Sequence, residues 1–401
     1  MNKFIVYGFI FLLVLTVDSA AQSPSKPTTF LLNADFLRTN KAKIKAGDQT
    51  LVQAAKRLIA DADKTLKHAT YTVTAKSKTP PSGDKHDYMS VGPYWWPDST
   101  KPNGLPYIRK DGQVNPDRFA INDATYLKNL CDDVELLAVA YYFSDDEKYA
   151  RRAADLLRVW FLNTDSKMNP NLNYGQAIPG ITDGRGIGLI DSRAFAKLAD
   201  AVQLLRGSSV WTPGDHAALQ NWFRQFLDWM LTSPIGKDEE DEHNNHGTYY
   251  DFQSIGLALF TDNKTLARQI IEQKTMKRIE SQLKADGSQP HELARTLSWN
   301  YSVMNLQGFF GIALLAENVQ IDLWNYETAT GKSVKKAFLW LLPYAEGKKT
   351  WEHQQIKAIH TEEFQPLATV ASAKYKIAEP AFSSGHQQKE NSLFILTNSL
   401  F

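Results

Sequence analysis

The sequence has one cysteine, Cys131, so no disulfide can form within the chain. Small folds that depend on disulfides are therefore excluded, and an exported chain of this kind must be stabilised by the size of its core. With 401 residues, of which 43% are hydrophobic, the chain can bury a large core.

The sequence also has almost no net charge, with 45 basic and 44 acidic residues. This balance gives no general field that would attract nucleic acid, and no basic tail would bind it. We expect no nucleic-acid partner, and an acidic ligand would have to be bound by local groups. Beyond the N-terminus, no segment has the run of about 20 apolar residues that a transmembrane helix needs, so we expect no membrane insertion.

The N-terminus has the pattern of a secretory signal peptide. Lys3 precedes an apolar stretch over residues 4–17, and small residues follow at 19–21. We expect residues 1–21 to be removed and the protein to be periplasmic or secreted. Residues 22–30 are predicted to form a polar linker, and residues 31–401 a single domain.

Several catalytic signatures are missing from the sequence. It contains no HExxH segment, EF-hand loop, GxSxG, Walker A loop or GxGxxG. The glycine-rich segment 184–188 has no predicted strand before it, so we interpret it as a loop. We expect no metal and no cofactor.

Helical periodicity dominates what remains. One apolar stripe with spacings of three and four predicts a helix, and a second helix follows after a polar break at residues 144–146. The same pairing returns at 192–205 with 211–231 and at 250–260 with 263–283, and shorter helices are predicted at 333–345 and 364–376. The stripe consists of Tyr126, Leu127, Leu130, Val134, Leu137, Ala138 and Tyr141.

These roughly ten to twelve helices predict an all-α fold. Repeated helical hairpins form either a solenoid or a ring closed around a cavity. We predict an incomplete α/α toroid, or barrel, of about five to seven hairpins, because the loops are long and rich in Gly, Trp, Tyr and Asn. Residues 393–397 remain ambiguous between strand and helix.

A long aromatic loop spans residues 86–116. Its Gly, Pro, Asn and Asp content excludes a long helix. Such a loop either packs onto the body as a flap or lines a binding groove. The adjacent Trp95 and Trp96 should point in opposite directions, one into the core and one toward the cavity. Its large rings are Tyr88, Tyr94, Trp95, Trp96 and Tyr107.

A second polar group lies at Asn244, Asn245 and His246. These residues could simply form a turn and cap a helix, with Tyr249 and Tyr250 in the core. Alternatively, amide donors beside an imidazole can bind a carboxylate without bringing full charge into a pocket. We interpret the acidic run 238–242 as a solvated loop that raises the pKa of nearby histidines.

A third group contains His291, Arg295, Trp299 and Tyr301. On one straight helix, Arg295 and Tyr301 would lie on different faces, since each residue turns by about 100°. Either the helix breaks between them or they reach one ligand from different elements. If the two residues have no functional role, Arg295 would form a salt bridge on a surface helix and Tyr301 would be a half-buried tyrosine.

Together, Asn245, His246, Arg295 and Tyr301 fit β-elimination on a uronic acid polymer. Removing the C5 proton builds negative charge on an anionic carboxylate, so that group must first be neutralised by donors. A tyrosine could then act as base and as acid toward the C4 oxygen. Its pKa, ordinarily near 10, must fall for the first role, and a neighbouring arginine would lower it.

The sequence resembles the alginate lyase superfamily of helical-toroid polysaccharide lyases. The segments that carry the resemblance are 89–116 (MSVGPYWWPDSTKPNGLPYIRKDGQVNP), 244–251 (NNHGTYYD) and the segment with Arg295 and Tyr301, within roughly residues 85–320. The resemblance implies that Asn245 and His246 neutralise the substrate carboxylate, that Arg295 assists, and that Tyr301 is base and acid.

The resemblance also implies an anionic polysaccharide substrate, alginate or a related polyuronate, and a product with a 4,5-unsaturated uronate at its new non-reducing end. We expect substrate contacts from a further set of polar and aromatic residues. These are Tyr94, Trp95, Trp96, Asn244, Tyr249, Tyr250 and His291.

Two alternatives stay open from the sequence. Helical toroids also include glycoside hydrolases that use two carboxylates, for which Asp241, Asp251 and Glu292 are available. The aromatic residues would equally suit a non-catalytic polysaccharide-binding protein.

Overall fold

Helices make up most of the structure, a computed structural model that describes residues 28–378, 380 and 391–401. The expected signal peptide and nearly all of the linker lie outside the described residues. The helices within them are α1 (Ala34–Lys45), α2 (Gln49–Thr65), α3 (Asp123–Ser144), α4 (Glu147–Leu157), α5 (Phe195–Leu204), α6 (Pro213–Thr232), α7 (Pro234–Glu240), α8 (Asn245–Phe260), α9 (Lys264–Ile270), α10 (Met276–Gln282), α11 (Pro290–Leu293), α12 (Ser298–Glu317), α13 (Val334–Ala345), α14 (Gln365–Tyr375) and α15 (Ser392–Thr397).

Four short strands supplement the helices. They are β1 (Met89–Val91), β2 (Trp95–Trp96), β3 (Ile108–Arg109) and β4 (Tyr174–Ala177). β1 pairs in parallel with β4, and β2 pairs antiparallel with β3, with Trp95 opposite Arg109. The aromatic loop is therefore a small hairpin tied by one strand to the helical body.

The predicted hairpin connections form for identifiable local reasons. α3 ends at Ser144 and is followed by Asp145, which adopts a left-handed backbone conformation. The side chain of Asp146 accepts a hydrogen bond from the Lys148 amide at the start of α4. α6 begins with Pro213 and a capping box between Thr212 and Asp215.

An inner layer of helices surrounds the site. α3 packs on α5, α5 on α8, and α8 on α12, while α4, α6, α9 and α13 pack outside them. Every residue of α8 except His246 is buried, as expected for a helix enclosed on all sides. The C-terminal α15 packs on α1 and α2. The architecture is the predicted all-α, incomplete α/α toroid.

One contiguous apolar core runs from Leu32 to Leu400. At its centre Phe161, Phe195 and Trp222 contact each other edge to face. Such aromatic packing adds to the burial that stabilises a chain without disulfides. None of the described helices is long and apolar enough to cross a membrane.

The structure corrects three details of the sequence analysis. The acidic run 238–242 is not a solvated loop, because most of it belongs to α7 and Glu239 is fully buried. The ambiguous segment 393–397 is helical, within α15. The described residues contain more helices than predicted, because periodicity does not reveal short ones such as α7 and α11.

Candidate active site

A large cavity of about 1230 Å³ opens between the inner helices and the aromatic loop. Its wall carries seven arginine and lysine side chains but only three carboxylates. The excess of cations is local, since the whole chain is almost neutral, and it suits an anionic ligand. The cations are Arg109, Arg118, Lys128, Arg185, Arg193, Lys197 and Arg295.

The start of α8 brings three polar residues to this cavity. Asn244 caps the helix, and its side-chain oxygen accepts a hydrogen bond of 2.8 Å from the His246 amide. Asn245 is buried and donates to Glu292 from its backbone N at 2.6 Å and from its Nδ2 at 2.8 Å. Glu292 therefore fixes the orientation of the Asn245 amide, which retains a second N–H.

The ring of His246 is oriented by a buried carboxylate. Its Nδ1 lies 2.8 Å from Oε1 of Glu239. Burial lowers the pKa of His246, but the Glu239 carboxylate outweighs burial and raises the pKa above its ordinary value. The predicted effect of the acidic run is thus confirmed for His246, although the residue responsible lies on a helix. With Nδ1 bound to Glu239, Nε2 is the ring atom left for a ligand.

Arg295 and Tyr301 come into contact although the helical structure is interrupted between them. α11 ends at Leu293 and α12 begins at Ser298, so the two residues belong to different elements, as one of the two sequence alternatives required. The guanidinium carbon of Arg295 lies 3.8 Å from the centre of the Tyr301 ring. This is a close cation–π contact in a partly buried site.

The hydroxyl group of Tyr301 contacts the aromatic loop. It donates a hydrogen bond of 2.8 Å to the hydroxyl oxygen of Tyr94. Burial raises the pKa of Tyr301 well above 10, Tyr94 raises it further, and the opposing effect of Arg295 is smaller. The expectation that the arginine lowers this pKa overall is therefore wrong, because loss of solvent outweighs the nearby cation. Without substrate, Tyr301 is a neutral phenol.

Asp111 ties the aromatic loop to the same segment. Its carboxylate accepts hydrogen bonds from Arg295 Nε at 3.2 Å and Nη2 at 2.7 Å, and from Thr296 Oγ1 at 3.0 Å. The adjacent Gly112 has φ +73°, and a Cβ there would lie 2.6 Å from Thr296 Oγ1, so only glycine permits this approach. No described residue accepts a hydrogen bond from Arg295 Nη1.

The two tryptophans of the loop do diverge. Trp95 lines the cavity, with the Arg185 guanidinium 5.8 Å from its ring. Trp96 does not line the cavity, and its Nε1 donates to the Gln113 carbonyl at 2.9 Å. Neither ring enters the core, so that part of the prediction is wrong, because both belong to a small hairpin that lies over the body.

Most of the predicted site residues converge on the cavity. Trp96 and Tyr250 are the exceptions: Tyr250 is buried in the core and donates to the Met230 carbonyl at 2.9 Å, so it is not available to substrate. Those that line the cavity are Tyr94, Trp95, Asn244, Asn245, His246, Tyr249, His291, Arg295 and Tyr301.

Among the residues of the site that sequence reasoning missed are Glu239, Asp111 and Arg185. Arg185 lies in the glycine-rich segment that we interpreted as a loop, and its Nε donates to the Gln176 carbonyl at 3.0 Å. Asp111 bonds Arg295 from a distant position in the chain, whereas Glu239 lies only seven positions before His246. The only sequence signal for Glu239 was the acidic run upstream of His246.

The three carboxylates that the sequence offered for a hydrolase do not line the cavity. Asp251 is buried and paired with Arg278 at 2.8 Å, Glu292 bonds Asn245, and Asp241 is exposed outside the cavity wall. Among the described residues, no three His, Cys, Asp or Glu side chains are grouped so that they could hold a metal ion.

The toroid and its cavity, with an imidazole, a guanidinium and a phenol in one wall, have the features of an enzyme site that suits an anionic ligand. Comparison with known proteins gives the family. The family model described as alginate lyase matches residues 72–351. No curated protein sequence matches the chain.

Solved structures agree with the family model. An alginate lyase from Bacteroides ovatus is 40% identical, with a TM-score of 0.88, over 94% of this chain and 100% of that one. Alginate lyase A1-III from a Sphingomonas species shares the fold at 16% identity and a TM-score of 0.55, over 90% of this chain and 93% of that one. A variant of A1-III complexed with a tetrasaccharide gives 16% identity and a TM-score of 0.58, over 88% and 90%. The chain therefore belongs to the alginate lyase family, and it is a polysaccharide lyase.

Proposed function

We propose that this lyase cleaves alginate or a related polyuronate by β-elimination and leaves a 4,5-unsaturated uronate at the new non-reducing end. The observation that carries the proposal is the contact between Arg295 and Tyr301 in the same cavity as His246, where most of the charged side chains are cationic. A neutral polysaccharide would not need that wall, whereas each uronate brings one carboxylate to it.

The first requirement of the reaction is to neutralise the carboxylate next to C5. Nε2 of His246 is directed away from Glu239, and Nη1 of Arg295 is the donor that Asp111 leaves free among the described contacts. The second N–H of the Asn245 amide completes the set. Donors fixed in advance stabilise the enolate as its charge develops, which is where such contacts contribute most to rate.

The second requirement is to move two protons. Because burial keeps Tyr301 neutral, its hydroxyl arrives with the proton that the leaving O4 needs. As the C4–O4 bond breaks with its electrons on O4, the hydroxyl gives its proton to O4, and the phenolate oxygen left behind accepts the proton from C5 while the C4–C5 double bond forms. One proton enters and one leaves, so the tyrosine ends as it began.

Two neighbours suit Tyr301 to this exchange. The cation of Arg295 over its ring stabilises negative charge on the phenol as the proton is released. The 2.8 Å hydrogen bond with Tyr94 holds the hydroxyl in one position. Proton transfer by a positioned group of this kind contributes about 10²- to 10⁴-fold to rate.

Substrate contacts come from the rest of the cavity wall. Trp95 presents a ring on which a sugar can stack, and Asn244, Tyr249 and His291 lie along the same wall. We also propose that the enzyme acts in the periplasm or outside the cell, on the basis of the signal-peptide pattern in residues 1–21.

A direct assay tests the proposal. The purified enzyme is incubated with alginate, polymannuronate, polyguluronate and glucuronan, and ultraviolet absorbance of the unsaturated product is followed. We expect absorbance to rise with at least one polymer. New reducing ends without absorbance would instead indicate hydrolysis, and binding without any product would indicate a polysaccharide-binding protein.

A further inference from the structure

Two histidines at the cavity wall have no part in the proton transfer described above. His243 lies in the turn between α7 and α8, and His291 lies in the short helix α11. Their ring centres are 4.6 Å apart with the planes nearly perpendicular, and both line the cavity. No described residue forms a hydrogen bond or an ion pair with either ring, so their ring nitrogens are available to a ligand.

Packing does not explain this pair. His243 and His291 are both exposed, so contact between the rings buries little area. A histidine whose purpose is structural usually has a partner for its ring nitrogens, as His246 has in Glu239. The pair instead places two potential N–H donors at the wall that holds Asn244, Asn245 and His246.

The charges of the cavity wall favour an anion near the pair. Burial lowers the pKa of His291, and His243 and Lys284 lower it further, because each adds positive charge nearby. The neighbouring carboxylate Glu242 opposes an anion, and it accepts a hydrogen bond from the neutral amide of Asn244 at 3.1 Å. Across the cavity wall, however, seven cationic side chains outnumber three carboxylates, Glu242 included.

We propose that His243 and His291 form a second carboxylate subsite, which binds the uronate next to the one held at His246. The inference rests on the proposed function, since it requires a polymer with a carboxylate on every sugar. An incoming carboxylate favours the protonated form of His291, so binding takes up a proton when the pH is above the lowered pKa of that ring.

The test replaces both rings in the full-length enzyme by His243→Gln and His291→Gln, singly and together. Glutamine can still donate a hydrogen bond but cannot take up a proton. At pH 6 we expect KM for the polymer to rise roughly tenfold in the double variant with kcat nearly unchanged, because a hydrogen bond to a charged group is lost while the reacting groups stay in place. Between pH 6 and pH 8, KM should rise more steeply in the wild type than in the double variant, because His246 loses its charge in both enzymes but the pair titrates only in the wild type.

The matched control is His353→Gln. His353 is also exposed and also touches an aromatic ring, that of Trp351 at 5.1 Å, but it does not line the cavity. Its KM should follow the wild type at both pH values. Thermal melting of every variant confirms that the comparison is made between folded proteins.

A second measurement does not depend on turnover. Calorimetric titration of Tyr301→Phe with an alginate oligosaccharide, in two buffers of different ionisation heat, reports protons taken up on binding. We expect uptake at pH 7.5 and less of it when the two glutamine substitutions are added. The subsite proposal is overturned if the KM of the double variant equals that of the wild type, if only kcat falls, or if KM rises by the same factor at pH 6 and at pH 8. If the wild type yields no unsaturated product from any polyuronate, the proposed function itself fails, which is a separate result.

Discussion

The sharpest prediction concerns Glu239, the buried partner of His246. Its carboxylate raises the pKa of the imidazole, so the cationic form persists to a higher pH than in an ordinary histidine. If cationic His246 neutralises the substrate, activity is retained below this pKa and lost as pH rises through it. Tyr301 cannot cause that loss below pH 10, because its pKa lies well above 10.

The substitution Glu239→Gln should therefore move the alkaline limb of the kcat/KM profile to lower pH. Glutamine can still accept from Nδ1, so the ring keeps its orientation, but the contact loses its charge. A hydrogen bond to a charged group is worth about 1 to 1.5 kcal/mol more than a neutral one. This corresponds to roughly a tenfold loss of kcat/KM at pH values above the alkaline limbs of both enzymes. At pH values well below both limbs, the variant and the wild type should have similar kcat/KM.

The neighbouring residue Glu240 provides the control. It lies on the same helix, and its carboxylate pairs with Lys237 at 2.8 Å and Lys274 at 3.2 Å rather than with His246. Glu240→Gln should leave the pH profile in place. The reasoning is refuted if Glu239→Gln keeps the wild-type alkaline limb, or if it loses the same factor at every pH, since the effect would then be one of position alone.

Three further predictions follow from the cavity wall. Trp95→Ala should raise KM for polymer while Trp96→Ala does not, as steady-state kinetics would show; equal KM values would place the sugar elsewhere. Asp111→Ala should lower the free energy of unfolding by about 2 kcal/mol, measured with denaturant, because Arg295 loses a charged partner; unchanged stability would contradict the anchoring of the loop. Activity should survive treatment with EDTA. If EDTA instead abolished activity and added calcium restored it, a metal site would have been missed.

The sequence was most informative where one pattern repeats over many residues. Apolar stripes predicted the hairpins, and the polar segment at Asn244, Asn245 and His246 identified one wall of the cavity. Both signals are local, so they can be read along the chain.

The remainder of the site depends on pairs that only the fold brings together. Asp111 reaches Arg295 across 184 positions, and Tyr94 reaches Tyr301 across 207. No local pattern marks either pair. The sign of the Tyr301 pKa shift was missed for a related reason, because the balance between burial and the Arg295 charge depends on how completely the ring is enclosed.

The most direct test of the mechanism is the Tyr301→Phe variant, with affinity and turnover measured side by side. The substitution removes one hydroxyl and little volume, so calorimetry should give nearly the wild-type affinity for an oligosaccharide. The rate of ultraviolet absorbance should fall by about 10²-fold or more, since both proton transfers pass through that oxygen. A variant that retains more than about a tenth of the wild-type rate would show that Tyr301 is not the group that moves the proton.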